Sequence, residues 1–357
     1  MRRNITFIIT ILIGVATVPA QDFQVRTNVD LVVVPVSVRD GGRLVHRLTK
    51  EDYTVLEDNV PQTISNFSAD PQPLSAAILL DTGMGGIALR RLVPLFIAIT
   101  DGFSEFDEMA SFHYDQLVFQ LSDFTSDHEK IEKSFDVVKT IAAKQPAHVA
   151  AGDPAPAAPM ILQTILGLIN FGGYGGVIDN PSPGTAGPVR KPTTETVPTV
   201  RSKRVVPSRA LFDAIYDAAK ALETRPDGRR RLIFIVSDGQ VTADKNTHNF
   251  AEITDLLLRD NIELYSVNTD TDPIDRKLGV LGALARATGG DEYRGLKTAS
   301  MESAFSRITE QARNQYVLGY HTTNELKGGL PTVRTIELKS RNPKWDIKHR
   351  KGYTQIR

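Results

Sequence analysis

The feature that most constrains this chain is a change of rhythm at Leu74. From there to Asn314, short apolar runs such as "AAILL" and "LIFIVS" alternate with longer stretches of helical periodicity. The pattern predicts strands over residues 76–80, 109–114 with 117–121, 232–237 and 262–267. Helices are expected between and after them, near residues 87–100, 127–143, 210–223, 248–260, 275–288 and 298–314, with a start signal for the second at residues 123–126. Strands separated by helices imply an α/β, Rossmann-like unit: a mainly parallel sheet with helices on both faces.

In such a sheet the binding crevice lies beyond the carboxyl ends of the strands. "AAILLD" and "LIFIVSDG" are apolar strands that end in Asp81 and Asp238, each with glycine in the next turn. Two carboxylates brought together there suit a hard cation such as Mg2+. A local alternative is that both acids cap turns or helix starts, where aspartate is favoured. A third reading takes Gly83-Met84-Gly85-Gly86-Ile87-Ala88 as the G-x-G-x-x-G/A fingerprint of a dinucleotide site. Two observations oppose it. Asp81 sets a negative charge at the approach to the pyrophosphate, and Asp115, after the second strand, lies farther on than the roughly 20 residues usual for the ribose-binding acid.

The flanks are different in kind. Residues 23–73 are valine-rich and β-like, with turns at Asp40-Gly41-Gly42 and Glu57-Asp58-Asn59, and Thr49 as a cap for a short turn closed by Asp52. The tail, through "QYVLGY", "TVRTIELKS" and "KWDIKHRKGY", is again β. Neither set makes a stable sheet alone, so the two are expected to pair in one β-sandwich into which the α/β unit is inserted. The expected divisions are 21–73, 74–315 and 316–357. Residues 145–207 interrupt the α/β rhythm with a Pro-, Gly-, Ala- and Thr-rich stretch, in which "MILQTILGLIN" has the spacing of one amphipathic helix.

The first twenty residues carry Arg2 and Arg3, an apolar segment over 5–18, then Val18-Pro19-Ala20. That order is expected for a secretory signal cleaved after Ala20; the apolar segment is shorter than the roughly 20 residues of a spanning helix, which leaves an uncleaved anchor as the lesser alternative. Export to the periplasm, cell surface or medium follows, with no membrane span after cleavage. The 42 basic and 42 acidic residues balance, so bulk charge offers no attraction for nucleic acid. The basic runs at 201–209, 229–231 and 339–351 read as solvated loops. With no cysteine there are no disulfides, thiolate zinc sites or cysteine nucleophiles, and the seven histidines show no metal-binding pair. There is no G-x-S-x-G elbow, and Asp107-Glu108 reads as the start of a buried strand rather than an acid/base pair. The chain is expected not to be an enzyme.

Taken together, "VDLVVVPVSVRDGGRLVHRLTKEDYTVLEDNVPQTISNF", "LIFIVSDG", "QYVLGYHTTN" and "HRKGY" resemble the von Willebrand factor A domain, more narrowly the exported bacterial family related to it and named for acidobacteria. That family's metal-ion-dependent adhesion site uses D-x-S-x-S after the first strand, a threonine before a helix and a later aspartate. Asp81 matches the first acid and Asp238 the last, but the serine positions fall on Gly83 and Gly85. In "PSRALFDAI", similar to the family's T-A-L-[FY]-D-A-[IL], the threonine position falls on Arg209, with Ser208 one residue away. The resemblance therefore implies a protein-binding or adhesion module with a degenerate site at Asp81, Gly83, Gly85, Ser208, Arg209 and Asp238. No cofactor is expected, Mg2+ is held weakly at most, and the Arg209 guanidinium stands in for the ion. An inert crevice in a purely structural envelope component is the alternative.

Overall fold

The computed structural model describes residues 31–145, 210–241, 246–269, 279–294, 298–326 and 330–355. The proposed signal segment and nearly all of the Pro- and Gly-rich stretch lie outside them, as do Ser208 and Arg209.

The amino-terminal strands are β1 (Leu31–Asp40), β2 (Arg43–Leu44), β3 (Tyr53–Glu57), β4 (Val60–Gln62) and β5 (Ile64–Ser68). The next segment runs through β6 (Leu74–Asp81), α1 (Gly86–Leu92), α2 (Phe96–Asp101), β7 (Glu108–Tyr114), β8 (Val118–Thr125), α3 (His128–Ser134) and α4 (Asp136–Lys144). It resumes with α5 (Leu211–Glu223), β9 (Arg230–Ser237), α6 (Phe250–Arg259), β10 (Ile262–Asn268), α7 (Val280–Thr288), β11 (Glu292–Arg294) and α8 (Thr298–Arg313). The tail supplies β12 (Tyr316–His321), β13 (Thr332–Ser340), β14 (Asp346–His349) and β15 (Gly352–Gln355).

Six strands form the central sheet in the order β11-β10-β9-β6-β7-β8, parallel except for the antiparallel edge strand β8. The period of two along β6 divides its side chains between two cores. Leu74, Ala76, Ile78 and Leu80 join Leu89, Phe96, Phe135 and Phe305 on one face, under α1 to α4 and α8. Ala77 and Leu79 join Phe212, Ile215, Ile253 and Leu284 on the other, under α5 to α7. The order reverses between β6 and β9, as in a doubly wound sheet.

Two expected helices are each divided. The stretch 87–100 breaks into α1, a 3-10 turn Val93–Leu95 and α2, because Pro94 offers no amide to the preceding turn. The stretch 127–143 divides at Phe135, which is fully buried with its ring 4.6 Å from that of Phe96. The start signal placed at 123–126 is also corrected: β8 runs through Thr125, and Asp127 caps α3 by accepting from Lys130 N.

The flanking strands form two antiparallel sheets, β14-β1-β12-β5 with β2 beside β1, and β15-β13-β3-β4. Val34, Val36, Leu318 and Tyr320 of the first and Val55, Ile336, Leu338 and Tyr353 of the second belong to one buried cluster. Glu57 lies inside it, accepting from Tyr320 Oη at 2.7 Å, Tyr353 Oη at 2.9 Å and Asn324 Nδ2 at 2.8 Å. Hydroxyls from both sheets thus satisfy one buried carboxylate.

The run at 229–231, expected as a solvated loop, is instead where the central sheet meets the flanking strands; in the run at 339–351, Lys339, Arg341 and Lys344 are exposed as expected, and only its end at Arg350 is buried against the central sheet. Arg230 is buried, donates to the Gln315 side chain and to Gln315 O at 3.1 Å, and stands 3.9 Å from Glu263. Arg350 donates to Leu258 O at the end of α6 (2.8 Å), to Asn261 Oδ1 (3.2 Å) and to Gly352 O (3.0 Å). A cation on the last carbonyls of a helix is favourably placed against its dipole. Gly289 (φ 92°) ends α7 in the left-handed region, and Gly290 follows with no room for a side chain: a Cβ there would lie 1.9 Å from Leu264 O.

Candidate functional site

β6 and β9 pair in register, Leu80 opposite Val236, so Asp81 and Ser237 meet at the carboxyl end of the sheet where the strand order reverses. Asp81 is fully buried. Its Oδ2 accepts from Ser237 Oγ at 2.6 Å and from Tyr114 Oη at 3.4 Å, and its Oδ1 accepts from Gly83 N at 3.0 Å. Tyr114 enters from β7, where it stands opposite Asp81. Burial, then the Asp81 charge, holds its hydroxyl well above the ordinary tyrosine range, so it remains a donor.

The neighbouring turns are closed by their own hydrogen bonds. Ser237 Oγ also accepts from Gly239 N at 3.0 Å, and Asp238 Oδ1 accepts from Gln240 N at 3.0 Å. Asp238 is half-buried, one residue beyond Ser237, and its charge contributes to the raised Tyr114 value. Thr82 donates its hydroxyl to Tyr114 O at 3.0 Å, and its carbonyl accepts from Gln145 Nε2 at 2.7 Å. Beyond Gly83, Met84 turns inward, 1% exposed, and its sulfur accepts from Thr269 Oγ1 at 3.4 Å. Gly85 is the N-cap of α1 with no side-chain cap.

Of the six residues expected at the site, the structure places Asp81, Gly83, Gly85 and Asp238 around this crevice. Ser208 and Arg209 lie outside the described residues, but the next residue, Ala210, donates its amide to Asp115 O at 3.3 Å, beside the end of β7. The first turn of α5 is capped from a distance: Asn246 Oδ1 accepts from Phe212 N (3.0 Å) and Asp213 N (3.3 Å), and Asp213 in return accepts from Thr247 N and His248 N. Sequence reasoning missed Ser237 and Tyr114. The signal for both was available, since each is the last residue of a strand beside Asp81, but it depends on knowing which strands are adjacent.

No family model matches the chain, and no curated protein matches it. Solved structures similar to it include the conserved hypothetical protein BatB from Bacteroides thetaiotaomicron, 13% identical with a TM-score of 0.39 over 67% of this chain and 99% of that one. Manganese-loaded TRAP protein from Plasmodium vivax is 8% identical, TM-score 0.39, over 84% and 98%. Proximal thread matrix protein 1 from the mussel byssus, with a zinc-occupied MIDAS motif, is 10% identical, TM-score 0.41, over 72% and 49%. At these identities and scores no property of those proteins passes to this chain.

Proposed function

We propose that this chain is an exported, non-enzymatic binding module: an A-type α/β domain (74–315) inserted between the two halves of a β-sandwich (21–73 and 316–357), presenting the crevice around Asp81 and Asp238 to a partner protein. The observation that carries the reading is the way Asp81 is held at the switch point of the sheet, buried and facing the Ser237 hydroxyl at 2.6 Å. Export rests on the charge and apolar pattern of the first twenty residues. Among the described residues, no helix is long and apolar enough to cross a membrane.

A divalent cation needs carboxylate lone pairs and neutral oxygens free to converge on it. Here Ser237 Oγ–H, Tyr114 Oη–H and Gly83 N–H are spent on Asp81, while Gly83 and Gly85 bring no side-chain oxygen. Among the described residues, no group of three or more His, Asp or Glu is arranged to hold an ion. We read this donor set as unsuited to a resident metal. In our reading Arg209, next in sequence to Ala210, supplies the positive charge and meets an acidic side chain of the partner.

The test is cross-linked capture of the partner from envelope extracts. Arg209→Ala and Asp238→Ala should each abolish capture, and a chelator should leave it intact. Capture unchanged in both variants would establish an inert crevice. Micromolar Mg2+ or Mn2+ binding that vanishes in Asp81→Ala would overturn the metal-free reading.

A further inference from the structure

At the opposite end of the central sheet from Asp81, a cleft of about 540 Å3 opens between the starts of β9 and β10 and the edge of the flanking strands. Its volume lies within the range of small-molecule sites, roughly 300–1,000 Å3, and it sits where two packed units meet, a frequent position for such sites. One wall is apolar, from Leu31, Val33, Pro35 and Val317.

The other wall is arginine-rich, with five arginines against three acids in the lining. Arg231 pairs with Asp227 at 3.5 Å, Arg259 with Asp260 at 3.0 Å, and Arg230 stands 3.9 Å from Glu263. Two guanidinium charges then have no acid within the lining. Arg229 reaches Glu108, outside it, and Arg350 is satisfied by carbonyl and amide oxygens. Independently of that balance, the Nε–H groups of Arg230 and Arg231 are buried and find no acceptor among the described residues. Arg230 itself is only 6% exposed, so an unmet donor there is costly unless a ligand completes it.

We propose that this cleft binds a phosphate monoester with an apolar substituent. Its charge of about −1.5 to −2 at neutral pH suits a lining of five arginines and three acids in which Arg350 has no acid beside it, its oxygens suit the Arg230 and Arg231 donors, and its substituent lies along Leu31, Val33 and Pro35. A carboxylate supplies half the charge, and inorganic phosphate lacks the apolar body.

The experiment is calorimetric titration of the full chain with phenyl phosphate, inorganic phosphate and phenylacetate. Phenyl phosphate should bind saturably and at least about tenfold more tightly than either of the others. Arg231→Gln and Arg259→Gln, at partly exposed positions, should each weaken it by about tenfold, whereas Asp238→Ala at the far end of the sheet should leave it unchanged. Absence of saturable heat with phenyl phosphate, equal affinity for phenylacetate, or undiminished affinity in a correctly folded Arg231→Gln or Arg259→Gln protein would overturn the proposal.

Discussion

Ser237→Ala removes a single oxygen from the crevice and leaves a buried carboxylate short of a donor. The lost contact, Ser237 Oγ to Asp81 Oδ2 at 2.6 Å, is a hydrogen bond to a charged acceptor, in a class that contributes about 1.5–3 kcal/mol. The same hydroxyl accepts from Gly239 N at 3.0 Å, and losing that neutral bond adds about 1 kcal/mol. The variant should therefore be less stable by about 2.5–4 kcal/mol. Asp81→Asn keeps the shape and discards the charge, so the Ser237 hydroxyl loses its ionic partner while Gly239 N keeps its acceptor. In a double-mutant cycle the two substitutions should couple by about 1–2 kcal/mol. Urea denaturation followed by the helical far-ultraviolet circular dichroism reads the correct unit, because the eight described α-helices all pack on the central sheet or connect its strands. A coupling within about 0.5 kcal/mol of zero would show that the hydroxyl does not hold Asp81, and the account of the crevice would fail with it.

Three further substitutions test the buried His349 beside the central sheet and the backbone around the last helix-to-strand turn of that sheet. His349 is buried, with Nδ1 2.7 Å from Arg350 O and Nε2 3.2 Å from Lys351 Nζ; burial, then the Lys351 charge, pushes its pKa down to about 3. The folded protein keeps the ring neutral while the unfolded chain protonates near 6.5, so this stability is fully present above that value and lost as pH falls toward about 3. His349→Gln should flatten the decline of Tm between about pH 7 and about pH 4, and an unchanged slope refutes the assignment. Gly290→Ala would drive a methyl to 1.9 Å from Leu264 O and should cost about 3 kcal/mol or more. Gly279→Ala, where nothing lies within 4 Å of the added carbon, should cost less than about 1 kcal/mol; equal losses in urea melts would discredit the steric explanation.

The α/β unit was legible because its longer strands each carry their own pattern. Residues 76–80 and 232–236 are apolar without interruption, as strands buried on both faces must be, and their terminal acids mark the end of the sheet that holds the crevice. What escaped depends on neighbours distant in sequence. Ser237 and Tyr114 matter because β6 lies between β7 and β9, a fact of register that no single segment encodes. A run of three arginines at 229–231 looks the same whether water or protein solvates it; the partner of Arg230, Gln315, is 85 positions away. β11 is three residues long, too short to leave a period. Pro94 was the one missed break with a local cause, since a proline inside a helical pattern is itself the signal.

The pairing of β1 has a consequence for the order in which the molecule can be built. Leu31 lies opposite His321 and Val36 opposite Tyr316, so the first strand described finds its partner only after the whole central sheet has been made. The entropy of closing so long a loop grows only with the logarithm of its length, but contacts of such sequence separation form slowly. A growing or translocating chain therefore carries the valine-rich β1 with an unpaired edge while the helices and parallel strands behind it collapse locally. Interrupting synthesis before Tyr316 would not merely shorten the protein at one end. It would leave the opposite end as an orphaned apolar ribbon, the kind of edge that recruits other chains.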